Sequence, residues 1–232
     1  MHLFYISPDP SDRIVLDESE SRHAVRVLRL RPGDAVELVD GVGGWYRGEV
    51  SVAHPKSCVI GIHERTHRPD PRSYSLHLAV SPTKNLDRLE WMLEKSTELG
   101  LSAFTPLICE RTERTRINPD RLERVLVSAM KQSLQAHKPI LHPATDMNSF
   151  LSLPHPGVGA IAHCSTGERR SIHELPLNQP VTFLVGPEGD FTPEEIQAAI
   201  QSGFAPYELG ETRLRTETAG MFVAAALRTR HA

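Results

Sequence analysis

Two runs near the C-terminus hold the residue types that could do chemistry. They are Gly186-Pro187-Glu188-Gly189-Asp190-Phe191-Thr192 and Leu209-Gly210-Glu211-Thr212-Arg213-Leu214-Arg215-Thr216-Glu217-Thr218-Ala219. In the second run, Arg213 and Arg215 place two fixed cations just before a helix start. A guanidinium keeps its charge and presents a planar fork of donors, so the pair could clamp an anion or steady charge that develops in a reaction. In the first run, Gly186 and Gly189 would let a ligand touch main-chain groups that side chains otherwise shield. Glu188 would then stand at the mouth of that site. Neither run has GxGxxG, GxxxxGK[ST] or GxSxG spacing, which argues against dinucleotide, P-loop and nucleophile-elbow chemistry. A tight strand-to-helix turn also accounts for the first run, and a solvated basic loop for the second. Glu188 and Asp190 could also be the paired acids of a hydrolase, but no metal ligands or activated nucleophile accompany them.

The elements that would position these runs are regular. Val181–Val185 and Tyr207–Leu209 read as the strands that precede them. Thr192-Pro193-Glu194-Glu195 is a capping box with proline at the first helical position, and Gly203 ends that helix. Thr216 is expected to cap a last helix from about Glu217 to Arg228. Upstream, Leu76–Val80, Ala103–Ile108 and Val158–Ala162 are strand-like. Lys84–Leu99 is an amphipathic helix with Leu86, Leu89, Leu93 and Leu99 inward, and Asn118-Pro119-Asp120 opens another. This alternation from residue 74 predicts an α/β domain over 74–232, with a mostly parallel sheet and ligands at its strand ends.

The first third reads as β-rich, with a boundary in the Pro- and Arg-containing stretch 67–72. Leu3–Ile6, Asp34–Val39, Trp45–Val52 and Cys58–Ile62 are strands, and the glycines of 41–44 form a hairpin turn. Asp17 caps an expected helix over Glu18–Leu30, with Ala24, Val27 and Leu28 on one face and Arg22, Arg26 and Arg29 on another. A small β-barrel domain over 1–70 follows.

Net charge is −3 over 232 residues, so no global basic field points to nucleic acid, yet the charge is patchy. Arg22, Arg26, Arg29 and Arg31 cluster without an acid between them. Cys58, Cys109 and Cys164 form no CxxC pair, and His63 and His67 lie on a strand-to-linker stretch, so no metal site is expected. The N-terminus has no signal-peptide pattern and no apolar run reaches membrane-span length, so a cytoplasmic protein with reduced thiols is expected.

The Gly-Pro-Glu-Gly run at 186–189, Leu209-Gly210 and the Leu214–Ala219 run resemble the bacterial 16S rRNA (uracil-N3) methyltransferases of the SPOUT superfamily. His23–Leu30 with Gly33-Asp34, and Lys84 with Glu94–Gly100, are similar to that family's N-terminal and first-helix signatures. The likeness runs in order over nearly the whole chain. It implies a PUA-like RNA-binding barrel, a C-terminal α/β domain with a trefoil knot, a homodimer, and S-adenosylmethionine bound among the knot loops. The cofactor residues carried across are Leu184, Val185, Gly186, Glu188 and Gly189 on the first loop, and Leu209, Gly210, Leu214, Arg215 and Thr216 on the second. This chain departs from the family at Asp190, where glycine is common, and at Lys138, near which the family usually carries an arginine.

The resemblance further implies methyl transfer to N3 of a uridine in 16S rRNA of the small ribosomal subunit. Uracil N3 is a poor nucleophile until its proton leaves, and the resulting charge spreads over two ring oxygens. Arg215 first and Arg213 second are the expected stabilisers of that anion, with Glu217 orienting an arginine or passing on the proton. Phosphates would fall to Arg22, Arg26, Arg29, Arg31, Lys84, Arg111 and Arg114. The alternatives are a SPOUT enzyme for another rRNA or tRNA base, and a non-catalytic RNA-binding assembly factor.

Overall fold

A computed structural model describes residues 2–176 and 178–231. Its contacts divide the chain into two compact units. One runs through Pro71 and also takes in Met130–Lys138. The other holds Arg72–Ala129 and the chain from Pro139 onward.

The first unit contains β1 (Leu3–Tyr5), β2 (Arg13–Val15), α1 (Glu18–Arg22), β3 (Ala35–Val39), β4 (Gly44–Val52) and β5 (Val59–His67). They form one sheet in the order β1-β3-β4-β5-β2, antiparallel except for the β1–β3 pair. Phe4, Leu16, Ala24, Val36, Leu38, Val50 and Ile60 form its core. Each such fully buried large side chain contributes on the order of 1.5–3 kcal/mol.

Three details differ from the sequence expectation. The helix expected over 18–30 is α-helical only to Arg22 and then widens into a π-turn at His23–Val27. Leu28 N donates to His23 O at 3.0 Å, and Arg29 leaves the turn at φ +57°. The wider turn rotates Val27 outward, 66% exposed, while Ala24 stays buried. Strand β5 continues through Glu64, Arg65 and Thr66 to His67, into the stretch read as linker, because β4 supplies partners out to His67, with a register shift at His63. The segment 130–138, expected in the second domain, belongs to the first unit. Met130 and Ala136 pack with Val39 and Trp45. The Gly41–Gly43 turn bonds the segment's backbone: Lys138 N donates to Gly41 O at 2.9 Å, and Gly43 N to Ala136 O at 3.0 Å. Asp40 braces that turn by accepting from Val42 N, Gly44 N and the Tyr46 hydroxyl.

The second unit holds β6 (Leu76–Val80), α2 (Leu86–Glu98), β7 (Ala103–Ile108), most of α3 (Pro119–Gln132), β8 (Ile140–Leu141), β9 (Thr145–Asp146) and α4 (Met147–Leu151). It continues with β10 (Val158–Ala162), β11 (Arg170–Ser171), β12 (Val181–Val185), α5 (Pro193–Gln201), β13 (Phe204–Glu208) and α6 (Thr216–Arg230). The sheet order is β11-β13-β10-β12-β6-β7-β8, with β9 also on β7, and its strands pair in parallel. Alternate residues feed two cores. Leu76, Leu78, Phe183 and Val185 meet Leu89, Leu93, Val223 and Leu227, whereas Ala79, Ile161 and Leu184 meet Phe191, Ile196 and Phe204. The sheet is therefore covered on both faces, as the unbroken apolar strands predict. No helix among the described residues is long and apolar enough to cross a membrane.

Candidate active site

Strands β13, β10 and β12 are neighbours in the sheet, and all three run in one direction. Their C-terminal ends open on a cavity of about 550 Å³. The loop after β12 supplies Gly186, Pro187, Glu188 and Asp190, and the loop after β13 supplies Leu209–Thr216. The third wall follows β10, with Ala162, His163, Cys164 and Arg169. A crevice at the carboxyl ends of parallel strands is where open α/β sheets bind ligands.

The first loop is fixed from four sides. Thr216 Oγ1 donates to Gly186 O at 3.0 Å, which joins it to the second loop. Lys84 N donates to Glu188 Oε1 at 3.1 Å. Arg111 Nη1 donates to Gly189 O at 2.8 Å. Cys164 N donates to Asp190 Oδ2 at 2.8 Å. Gly186 is required by space, because a Cβ there would lie 2.9 Å from the buried Phe191 ring. Behind the loop, α5 begins with the expected capping box of Thr192 and Glu195. Glu195 Oε1 additionally accepts from Glu110 N at 2.8 Å, so the loop after β7 anchors the same turn.

The second loop is open. Glu211, Thr212, Arg213 and Arg215 are exposed, and neither arginine has an ion pair or side-chain hydrogen bond among the described residues. Gly210 sits at φ +117° with open space around it, so backbone conformation alone demands glycine there. The cap of α6 differs from expectation. Arg215 is the N-cap residue, without a side-chain cap bond, and Thr216 is already helical, its hydroxyl directed to Gly186 instead.

His163 is half-buried on the third wall. Both ring nitrogens are buried and have no hydrogen-bond partner among the described residues. Burial pushes its pKa below the usual histidine value, and the nearby Asp190 carboxylate opposes that shift. No group of three His, Cys, Asp or Glu among the described residues is placed to hold a metal ion.

A family model described as an RNA methyltransferase domain matches residues 70–228. A second, an RNA methyltransferase PUA domain, matches residues 16–62. The chain belongs to this RNA methyltransferase family. Among curated relatives, the ribosomal RNA small subunit methyltransferase E of Synechocystis is 31% identical, over 89% of this chain and 69% of its own. The enzyme of the same name from Rickettsia conorii is 28% identical, over 94% and 90%. A probable rRNA methyltransferase structure from Porphyromonas gingivalis is 38% identical, covers 100% of this chain and 98% of its own, and superposes with a TM-score of 0.90. A ribosomal RNA small subunit methyltransferase E from Neisseria gonorrhoeae, bound to S-adenosyl methionine, is 29% identical over 99% and 98%, with a TM-score of 0.86. These matches agree with the resemblance read from the motifs.

Within this methyltransferase domain, Val185, Gly186, Glu188, Leu209, Gly210, Leu214, Arg215 and Thr216 line the cavity, as does Arg213. Three expected residues stand outside its wall. Leu184 is fully buried in the core with Ile161 and Phe191, because strand alternation turns it to the face opposite Val185. Gly189 turns toward Arg111, whose side chain a Cβ at 189 would meet at 3.4 Å. Glu217 faces α2: its Oε1 lies 3.9 Å from Arg88 Nη1 and its Oε2 is buried without a hydrogen-bond partner. The close contact of Gly220 with Met92 fixes this orientation of α6. The third wall was not anticipated. Its signal was the strand run Val158–Ala162, followed by the polar His163 and Cys164.

Of the residues expected on RNA, Arg26, Arg29, Arg31 and Arg114 are exposed and pair with no acid among the described residues. Arg22 pairs with Glu18 at 2.7 Å, and Lys84 with Glu113 at 2.9 Å. Arg111 gives Nη1 to the first loop.

Proposed function

We propose that this chain transfers a methyl group from S-adenosylmethionine to N3 of one uridine of 16S rRNA, in the small ribosomal subunit. The observation that carries this reading is the cavity at three adjacent strand ends with Arg213 and Arg215 on its wall.

The residues present fit the cofactor. A volume of about 550 Å³ suits a small-molecule site. Glu188, Asp190, Glu208 and Glu211 share the lining with Arg169, a mixed field that suits a ligand bearing sulfonium, ammonium and carboxylate groups. Solved relatives from Neisseria gonorrhoeae and Legionella pneumophila carry that ligand. When bound, it supplies a methyl group already activated by the sulfonium. Val185, Gly186, Glu188, Leu209, Gly210, Leu214 and Thr216 hold it, the first loop offering rigid backbone and the second offering apolar contact from Leu209 and Leu214. Holding the donor and the base in one orientation contributes on the order of 7–11 kcal/mol. Arg215, assisted by Arg213, would steady the charge that appears on the uracil oxygens when the N3 proton passes to solvent at this exposed loop, and the N3–methyl bond would form as the sulfur–methyl bond breaks, leaving S-adenosylhomocysteine. Their unpaired guanidiniums leave every donor free for this. Because N3 lies on the pairing edge, the target base is turned out of its stack. Arg26, Arg29 and Arg31 of the PUA domain hold phosphates. A trefoil knot that threads the second loop past the first, and pairing of two copies, complete the proposal. The Thr216–Gly186 bond keeps the two loops adjacent.

The test is direct. Protein, labelled cofactor and small ribosomal subunits from a strain lacking the modification are incubated, and the label is mapped. A single N3-methyluridine in 16S rRNA is expected. Label on another base, or on transfer RNA, overturns the substrate assignment. Cofactor binding without transfer to any RNA overturns the reaction.

A further inference from the structure

Asp190 occupies a conformation that disfavours residues with a side chain. Its φ is +64°, in the left-handed region. Such a conformation persists where the surroundings hold it, and it concentrates at functional sites. Here the surroundings are two backbone amides. Asp190 Oδ1 accepts from its own neighbour Phe191 N at 2.8 Å, and Oδ2 accepts from Cys164 N at 2.8 Å. The second bond spans 26 residues of sequence. Among the described residues it is the one hydrogen bond joining the loop after β10 to the first glycine loop. Around Cys164 that loop is also tied within itself, by Arg169 Nη1 donating to His163 O at 3.1 Å. The remainder, from Cys164 to Arg169, is exposed.

We infer that Asp190 is a latch: a positioning residue that holds the loop after β10 against the first glycine loop and so sets the width of the cavity on the side of His163 and Arg169. The inference rests on the cofactor reading above. It assigns Asp190 no proton transfer. A glycine at 190 would relax the backbone and leave this wall unfastened. The carboxylate therefore exchanges local strain for a fastened wall.

Asp190→Gly and Asp190→Asn test the latch on the full-length protein. Cofactor affinity is measured by calorimetry with S-adenosylmethionine. Loop movement is read as the alkylation rate of Cys164 by iodoacetamide, since Cys164 is exposed while Cys58 and Cys109 are buried. Asp190→Gly is expected to melt within a few degrees of the parent, to bind the cofactor about tenfold more weakly, and to alkylate severalfold faster at Cys164. Asp190→Asn keeps one acceptor oxygen and is expected within about threefold of the parent in affinity. Parental affinity and alkylation rate in Asp190→Gly overturn the latch. Weak binding in both variants with an unchanged alkylation rate also overturns it, because the carboxylate would then act on the ligand directly. If the parent itself fails to bind the cofactor, the functional reading fails, and the alkylation rates still decide the latch.

Discussion

The two glycine-bearing loops of the candidate site lie on one cavity but are built oppositely. The loop after β12 is held at Gly186, Glu188, Gly189 and Asp190 by partners from four other segments. The loop after β13 exposes Glu211 through Arg213 and leaves both arginines unbonded. Each arrangement suits a different task. Backbone groups bind well only if they do not move, so their position is fixed before the ligand arrives. A charge clamp must meet charge that exists only during reaction, so its donors are kept free. Under the proposed function, the tied loop would serve affinity and the untied one rate.

The largest expected effect breaks this comparison at the open loop. Arg215→Ala is expected to lower the methylation rate by about 10²–10³-fold, the cost of removing one donor to a developing oxyanion. Calorimetry should find its cofactor affinity close to that of the parent. Near-parental turnover would remove Arg215 from the mechanism.

The sheet that carries both loops sets a pH limit on the comparison. Burial, helped by nearby His142 and His155, lowers His77 to about 4 while its Nε2 meets Thr105 Oγ1 at 2.8 Å. The folded state therefore resists protonation more than the unfolded chain, whose histidine titrates near 6.5. The resulting stability is fully present above about pH 6.5 and is lost as pH falls toward 4, on the order of 3 kcal/mol in all. Thermal melts across this range should fall with pH, and His77→Gln should flatten the fall.

Next comes the tied loop. Gly186→Ala forces a Cβ to within 2.9 Å of Phe191, an overpacking cost of about 1–3 kcal/mol. A lower melting temperature and weaker cofactor binding are expected together, the reverse of the Arg215→Ala pattern. An unaffected affinity would show that this backbone does not touch the ligand.

The smallest effect sharpens the contrast between the cavity and the exposed arginines at 26, 29 and 31. Arg26→Ala should weaken RNA binding modestly and lower the slope of log affinity against log salt by about 1, with cofactor affinity unchanged. Arg111→Ala in the same assay separates its two readings, since a residue that buttresses Gly189 changes cofactor affinity and leaves the salt slope alone.

Much of this molecule was legible in local chemistry. Strands β6, β7, β10 and β12 were readable as short apolar runs, and α5 from a capping box that needs only four consecutive residues. The two-residue strands β8, β9 and β11 were not, because a pairing that short has no period to detect. The π-turn after Arg22 was missed because its side-chain pattern fits a plain helix, and only the backbone bonds reveal the wider turn.

By itself the sequence determined the family, the strand-then-helix alternation and the two loops that bear glycine and arginine, because motifs and periodicity are properties of neighbours along the chain. Only the tertiary structure decided which side chains reach the cavity. It turned Leu184 into the core and Glu217 toward α2, and it brought Cys164 to Asp190. The reason is physical: strand order and helix rotation follow from packing many distant residues at once, and no local run of residues carries that information.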